Sequence, residues 1–557
     1  MTDRVTTSPS EAAESLSPAV RSYPLHIGGE DFAGAGWVYT VTSRSLLEDV
    51  FTSIRLKRTL EQDDNAAAAQ HPYVVGRCAV AADDDIDRAT SAAATAFPKW
   101  AKVSLERRLS LGASFRDKLR ENYDDLLELM VAEAHPIALA RWEIESTLNV
   151  FSKESCDVYG QGMHTEYELG DRKLIVRRQP DGVVCFNPPQ NAPAPIAALA
   201  VLVLMAGNSV VVRAPRSVAL SSMYLLRELV LPLLSELDAP PGTLNIICSN
   251  PGQTMRRWLT SPLVNDIFFT GGVEEGMRFQ QECVSNNKKP ILELAGNDGL
   301  VVWEDADLDL AAEAIAEAFY GSGQICMLPN YVLAHPAIAD ELLERVVAQA
   351  SLVRPGYADD EGAMLSPVRR TERFFVLLEQ AMDHGAKLVC GGKRTDMDGT
   401  PSDTGVFVQP TVVRVDGLAD ARKYDMVREE TFFPMLPVIV PEQLPDDELI
   451  DGFIDFLNAN EYGLRNSLWA RSDRVVDAFV GQTRNGGMFK VNDSHMGILP
   501  VLAGHGGTGL TGGVFGEANY PIFKTSHLQG VSIGRGISPR GEILGKQHKG
   551  ESRDRNL

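Results

Sequence analysis

The chain has 557 residues and a formal net charge of −22. That surplus of carboxylates excludes a nucleic-acid backbone as the main partner and disfavours an anionic membrane surface. With 44% hydrophobic and 23% charged residues the composition is that of a globular protein long enough for more than one core.

Residues 1–22 are polar and rich in Ser, Thr and Pro, predict disorder and carry no basic-then-apolar signal pattern. Apolar spacing predicts helix over 104–133, broken at "ENYDD", where Asp124 is placed to cap a second helix. Residues 164–178 alternate around Gly170-Asp171, the pattern of a hairpin. The uncharged run 192–207 falls short of the roughly 20 apolar residues of a membrane span. It reads as a buried helix leading, past Gly207-Asn208-Ser209, into a buried strand.

From 182 to 303 short apolar runs ("GVVCF", "SVVVRA", "TLNIIC", "DIFFTG", "GLVVW") alternate with helical stretches such as 218–236. A second series, from "NYVLAH" to "GMFKVND", runs to about 491. Short buried strands alternating with helices predict α/β architecture with a mainly parallel sheet covered on both faces. The glycine-rich run 504–516 lacks the Lys-Ser/Thr of a phosphate-binding P-loop and reads as a surface or rim loop.

Seven dispersed cysteines with no C-x-x-C pair fit neither a disulfide framework nor a zinc site, so a reducing, cytoplasmic setting and no metal are expected. Cys326 follows a helix that Asp307 caps and that Gly321 and Gly323 stop, a context in which a thiol faces a cleft. Taken alone, a single cysteine is most often an inert buried residue. Glu293, in "LELAGND" and 33 positions earlier, is a lone carboxylate among apolar neighbours. It reads either as a hydrogen-bonded structural group or as a base with a raised pKa. In "FFTGGVEEG", Gly271, Gly272 and Gly276 fall between a strand and a helix start, where a backbone can approach phosphate, although G-x-G-x-x-G is absent.

Together these blocks resemble the aldehyde dehydrogenase superfamily, in the family's order. They are "PPQNAP", "AGNSVVVRAP", "FFTGG", "LELAG", "GQIC", "EETFFPMLPV", "NANEYGL" and "VND", and the likeness spans roughly residues 70–535. The resemblance implies an aldehyde dehydrogenase-like fold, two Rossmann-like parallel-sheet domains plus a β-hairpin oligomerisation element. It divides the chain into a cofactor-binding domain (23–158 and 179–295), a catalytic domain (296–505), an oligomerisation element (159–178 and 506–535) and a tail from 536. A homodimer or homotetramer is expected.

The resemblance further implies NAD(P)-dependent oxidation of an aldehyde to an acid. Cys326 would be the nucleophile, Glu293 the activator of the hydrolytic water, and Asn191 the side-chain donor to the oxyanion. Arg213, Gly271, Gly272, Gly276, Glu430 and Phe432 would contact NADP or NAD. Arg216 stands where the family often has a Glu against the adenine ribose, which leans the cofactor towards NADP.

Other departures bear on the site. Gln190 and Ala192 replace aromatic residues, and Asn297 replaces a Lys. The spacing of 17 between Asn191 and Asn208 is that of CoA-acylating relatives, and it leaves Gln190 open as the oxyanion amide. A CoA-acylating reductase is therefore the alternative, against which Glu293 speaks, with a non-catalytic member as the third reading.

Overall fold

Two seven-stranded sheets organise the chain in this computed structural model, which describes residues 20–63, 71–502, 506–514 and 520–537. Of residues 1–22, expected to be disordered, 1–19 lie outside the described residues, as does most of the tail. Arg21 and Ser22, by contrast, belong to the strand Arg21–Tyr23, ordered by its pairing with Val74–Ala79.

Across the first sheet the order is Lys289–Glu293, Asp266–Thr270, Val183–Asn187, Ser209–Pro215, Leu244–Ser249, Leu25–Ile27 and Glu30–Phe32. The first five strands run parallel, and the last two form an antiparallel edge. All residues of Ser209–Pro215 are buried, which is why "SVVVRAP" lacks the polar alternation of a half-exposed strand. The run at 192–207 becomes two short helices, Pro193–Ala198 and Ala200–Ala206, ended by Gly207 at φ 106°. Chain order reverses between Val183–Asn187 and Asp266–Thr270. In open α/β sheets the crevice beyond the carboxyl ends of such a pair takes the ligand.

The second sheet runs Lys387–Cys390, Thr411–Asp416, Met435–Val440, Pro329–Ala334, Asp298–Val302, Arg465–Trp469 and Met488–Val491. Six strands are parallel, and the first is an antiparallel edge. A smaller sheet of Arg21–Tyr23, Val74–Ala79 and Trp37–Val41 was not foreseen.

The expected hairpin is His164–Leu169 with Arg172–Pro180, turning at Gly170 with φ 56°. Ser526–Gly534 pairs antiparallel with its second strand. Every residue of His164–Leu169 is exposed. One local expectation fails. The helices are Leu105–Glu121 and Tyr123–Ala132, Asn122 occupies the cap position, and Asp124 lies inside the first turn, where its charge complements the helix end. Among the described residues no helix is long and apolar enough to cross a membrane.

Candidate active site

The strand-order reversal opens onto a cavity of about 340 Å³. Pro189 and Asn191 reach it from beyond Val183–Asn187, Thr270, Gly271 and Gly272 from the end of Asp266–Thr270, and Glu293 from the end of Lys289–Glu293. Cys326, three residues before the strand Pro329–Ala334 of the second sheet, enters from the other side. The cavity therefore lies where carboxyl ends of one sheet meet amino ends of the other.

Local backbone geometry explains how Cys326 arrives there. The helix Leu308–Ala316, capped by Asp307, passes into a tight turn in which Gly321, Ser322 and Gly323 all have positive φ. A side chain on Gly323 would meet the Phe433 carbonyl, and one on Gly296 would meet the carbonyl of Cys326 itself, at 2.1 Å in each case. Glycine at 296 is thus what lets "LELAGND" run against the cysteine loop.

Cys326 Sγ donates to Glu293 Oε1 at 3.6 Å. Glu293 is buried, and its Oε2 accepts no hydrogen bond within the described residues. Removal from water raises its pKa to about 7, against the pull of the Cys326 contact and of Arg465. Desolvation, reinforced by Glu293 and Glu430, pushes the Cys326 thiol well up. The resting pair is a neutral thiol facing a carboxyl that titrates near neutrality, which suits proton transfer between them.

Glu430 and Phe432 lie on a loop tied to the same stretch. The backbone N–H of Gly296 donates to Glu430 Oε1 at 3.1 Å. Asn297 Nδ2 donates to the carbonyls of Val427 and Arg428, each at 3.0 Å, and its own carbonyl accepts from Asn460. The residue that departs from the family's Lys is therefore a buried clamp on the 427–432 loop. Burial raises the pKa of Glu430 to about 8. Phe432 has φ 59°, a left-handed conformation costing about 1–3 kcal/mol for such a residue. The glycine-rich run also clasps this region. The Leu294 N–H donates to the Thr511 carbonyl at 2.9 Å, and Thr511 Oγ1 donates to the Ala295 carbonyl at 2.9 Å.

Asn191 Nδ2 donates to the carbonyl of Gln324 at 3.1 Å, which holds its amide beside the cysteine loop. Its backbone carbonyl accepts from His135 Nε2 at 3.1 Å, a contact the sequence reading missed. Gln190 does not line the cavity that holds Cys326, but a neighbouring one of about 640 Å³.

Arg369, Arg370 and Arg373 line that second cavity. Arg216 is exposed, and both Arg216 and Arg369 act on Lys57, whose pKa falls through burial first and then through these two positive charges. Lys57 is thus within electrostatic reach of both Arg216 and Arg369, a charge set that suits an anionic group.

Two expected cofactor contacts are placed differently. Arg213 lines neither cavity. Its guanidinium is buried and donates to Asn187 Oδ1 and, at 3.2 Å each, to the carbonyls of Ser249 and Pro188, tying strand ends together. Gly276 is buried, and a side chain there would strike Leu294, so its bareness serves helix-on-strand packing. Gly272, by contrast, caps the helix Val273–Ser285 with open space before it.

Arg465 was also missed. It is buried, its NH1 donates to the His495 carbonyl at 2.8 Å, and its positive charge acts on Glu293, Asp298 and Cys326. A lone Arg in the apolar run "GLRNSLW" was the available signal. Glu304, His335 and Asp446 also cluster, with ligand-type atoms within 4.8 Å. His335 Nδ1 accepts from the Ala337 N–H, which leaves the proton on Nε2, the nitrogen facing Asp446, and disfavours a cation there.

Comparison with known proteins agrees with this geometry. Residues 61–524 match the aldehyde dehydrogenase family. The NADP-dependent succinate-semialdehyde dehydrogenase of Escherichia coli K12 is 30% identical over 73% of this chain and 82% of its own. The 3,6-anhydro-alpha-L-galactose dehydrogenase of Streptomyces coelicolor is 31% identical over 71% and 78%. The crystal structure of an NAD-dependent aldehyde dehydrogenase from Sinorhizobium meliloti superposes with a TM-score of 0.76 at 24% identity, over 94% of this chain and 97% of that one. The chain belongs to the aldehyde dehydrogenase family and is an NAD(P)-dependent oxidoreductase acting on the aldehyde group.

Proposed function

We propose that Cys326 is the nucleophile and Glu293 the general base of a hydrolytic aldehyde dehydrogenase. The observation that carries this reading is the 3.6 Å contact between Cys326 Sγ and Glu293 Oε1 on one cavity. Glu293 accepts the thiol proton as sulfur adds to the carbonyl carbon. The oxyanion forms where the Asn191 amide and the Cys326 backbone N–H can donate to it. When bound, NAD(P) supplies the hydride acceptor that allows the adduct on Cys326 to become a thioester. Glu293 gives that proton up to solvent and then takes one from water, whose oxygen attacks the thioester. The C–S bond breaks, the acid leaves, and the Cys326 sulfur regains a proton to restore the resting thiol.

Asn191, on the cavity with Cys326, is preferred to Gln190 as the oxyanion amide. Gly271, Gly272, Glu430 and Phe432 face the cofactor, and Arg213 holds the strand ends that carry it. Arg216, with Lys57 and Arg369, favours NADP over NAD through its 2′-phosphate. Water is the acyl acceptor, because a desolvated carboxyl beside the thiol is what deacylation by water requires. The exposed three-stranded sheet of 164–180 and 526–534, with Tyr167, Leu169 and Leu528 open to solvent, is the surface for a homodimer or homotetramer. The free cysteines fit a cytoplasmic protein.

The test is turnover of an aldehyde panel with NAD or NADP, with and without CoA. Cofactor reduction without CoA, lost in Cys326→Ala, is expected. Strict dependence on CoA would overturn the hydrolytic reading.

A further inference from the structure

The helix Ile137–Val150 presents Glu143, Ser146, Thr147 and Val150 to the cavity that holds Cys326. These positions, i, i+3, i+4 and i+7, form one helix face, and Trp142 lines the same cavity beside them. Glu143 is only 5% exposed, and its Oε2 accepts no hydrogen bond within the described residues. The nearest cationic candidate is His135 Nε2 at 4.0 Å, which already faces the Asn191 carbonyl at 3.1 Å. An unpaired buried carboxylate is among the most unfavourable groups a core can hold. Burial accordingly raises the Glu143 pKa to about 7, with His135 opposing. Nothing in the helix uses this carboxyl, since Thr147 Oγ1 bonds the backbone carbonyl of Glu143 and not its side chain.

The rest of the cavity has one electrostatic character. Glu143, Glu293 and Glu430 line it, and no Lys or Arg among the described residues does. An aldehyde with an anionic far end would therefore meet like charge in this cavity, while Arg369, Arg370 and Arg373 line the neighbouring cavity that Glu143 also borders. One with a cationic end would find the Glu143 carboxyl, whose nearest cationic neighbour is His135 at 4.0 Å, with Trp142 lining the same cavity.

We propose that Glu143 and Trp142 form the specificity wall of the aldehyde site and select substrates carrying a positively charged amino group. The proposal rests on the reading of this cavity as the aldehyde site. It differs from what the E. coli relative's name states, a semialdehyde that ends in a carboxylate. Glu143 is a specificity residue and takes no part in the bond changes at Cys326.

The experiment compares three small aldehydes of different terminal charge with the parent protein and with Glu143→Gln, using 3-aminopropanal, propanal and succinate semialdehyde. The parent should give a kcat/KM for 3-aminopropanal at least about tenfold above that for propanal, with succinate semialdehyde lowest. In Glu143→Gln that ratio should fall at least about tenfold through KM for the aldehyde, because the isosteric amide keeps the shape and loses the charge. Succinate semialdehyde as the best parent substrate, or a smaller change in the ratio, overturns the proposal. So does an effect that appears in KM for NAD(P) instead. Turnover of propanal, and its loss in Cys326→Ala, tests the underlying aldehyde reading separately.

Discussion

Glu293→Gln exchanges a buried ionisable carboxyl for an isosteric amide. In the unfolded chain the carboxyl titrates near 4.5, and in the fold removal from water moves it to about 7. Between these values the native state holds the proton more tightly than the unfolded state does. The stability this contributes is fully present below 4.5 and is lost as the pH rises through about 7. The loss sums to about 3.5 kcal/mol at about 1.4 kcal/mol per pH unit. Glutamine has no proton to lose, so the variant gains on the parent as pH rises. Urea unfolding of both proteins at pH 5 and pH 8 should show their free-energy difference moving by about 2–3 kcal/mol in favour of the variant. In the same variant the steady-state rate should fall by about 10²–10⁴, with thioester release the slowed step. A stability difference that stays constant with pH would refute the burial argument for Glu293. An unchanged steady-state rate would refute its role as the base.

Three further changes probe the neighbouring parts. Asn191→Ala should lower kcat by about 10²–10³ with little change in aldehyde KM, and retained kcat would remove its amide from the oxyanion role. Arg216→Glu should reduce kcat/KM for NADP relative to NAD by at least about tenfold, because a carboxylate then faces the 2′-phosphate. An unchanged ratio contradicts the cationic cluster as its site. Asn297→Ala strips two donors from the Val427 and Arg428 carbonyls. It should cost about 2–3 kcal/mol in unfolding free energy and raise KM for the cofactor. A loss of stability alone would make Asn297 a structural clamp without influence on the site.

The alternation of apolar runs with helices was enough to foresee a mainly parallel sheet, because buried parallel strands write themselves as unbroken Val, Ile and Phe, whereas the expectation of two such sheets came from the family resemblance. The hairpin around Gly170 was equally legible, since a positive φ there and alternating neighbours act locally. The edges were not. Leu25–Ile27 and Glu30–Phe32 have three residues each and join the first sheet only through long-range pairing with Leu244–Ser249. At the site, Cys326, Glu293, Asn191, Glu430 and Phe432 were legible from motif order, and the fold brings all five to one cavity. Arg213 and Gly276 were assigned from position in a motif, whereas the fold spends one on strand ends and the other on Leu294. Arg465, Thr511, His135 and the clamp role of Asn297 escaped, because each acts on a partner more than 50 residues away and no local pattern encodes such a pair.

The central claim is that a thioester forms on Cys326 and leaves by way of Glu293. Intact-protein and peptide mass spectrometry of Glu293→Gln, mixed with an aldehyde that the parent oxidises and with NADP, tests it directly. The account predicts an acyl adduct on the peptide containing Cys326, at about one per chain and absent when Cys326→Ala is added. No adduct despite reduced cofactor, or an adduct on another cysteine, would contradict it.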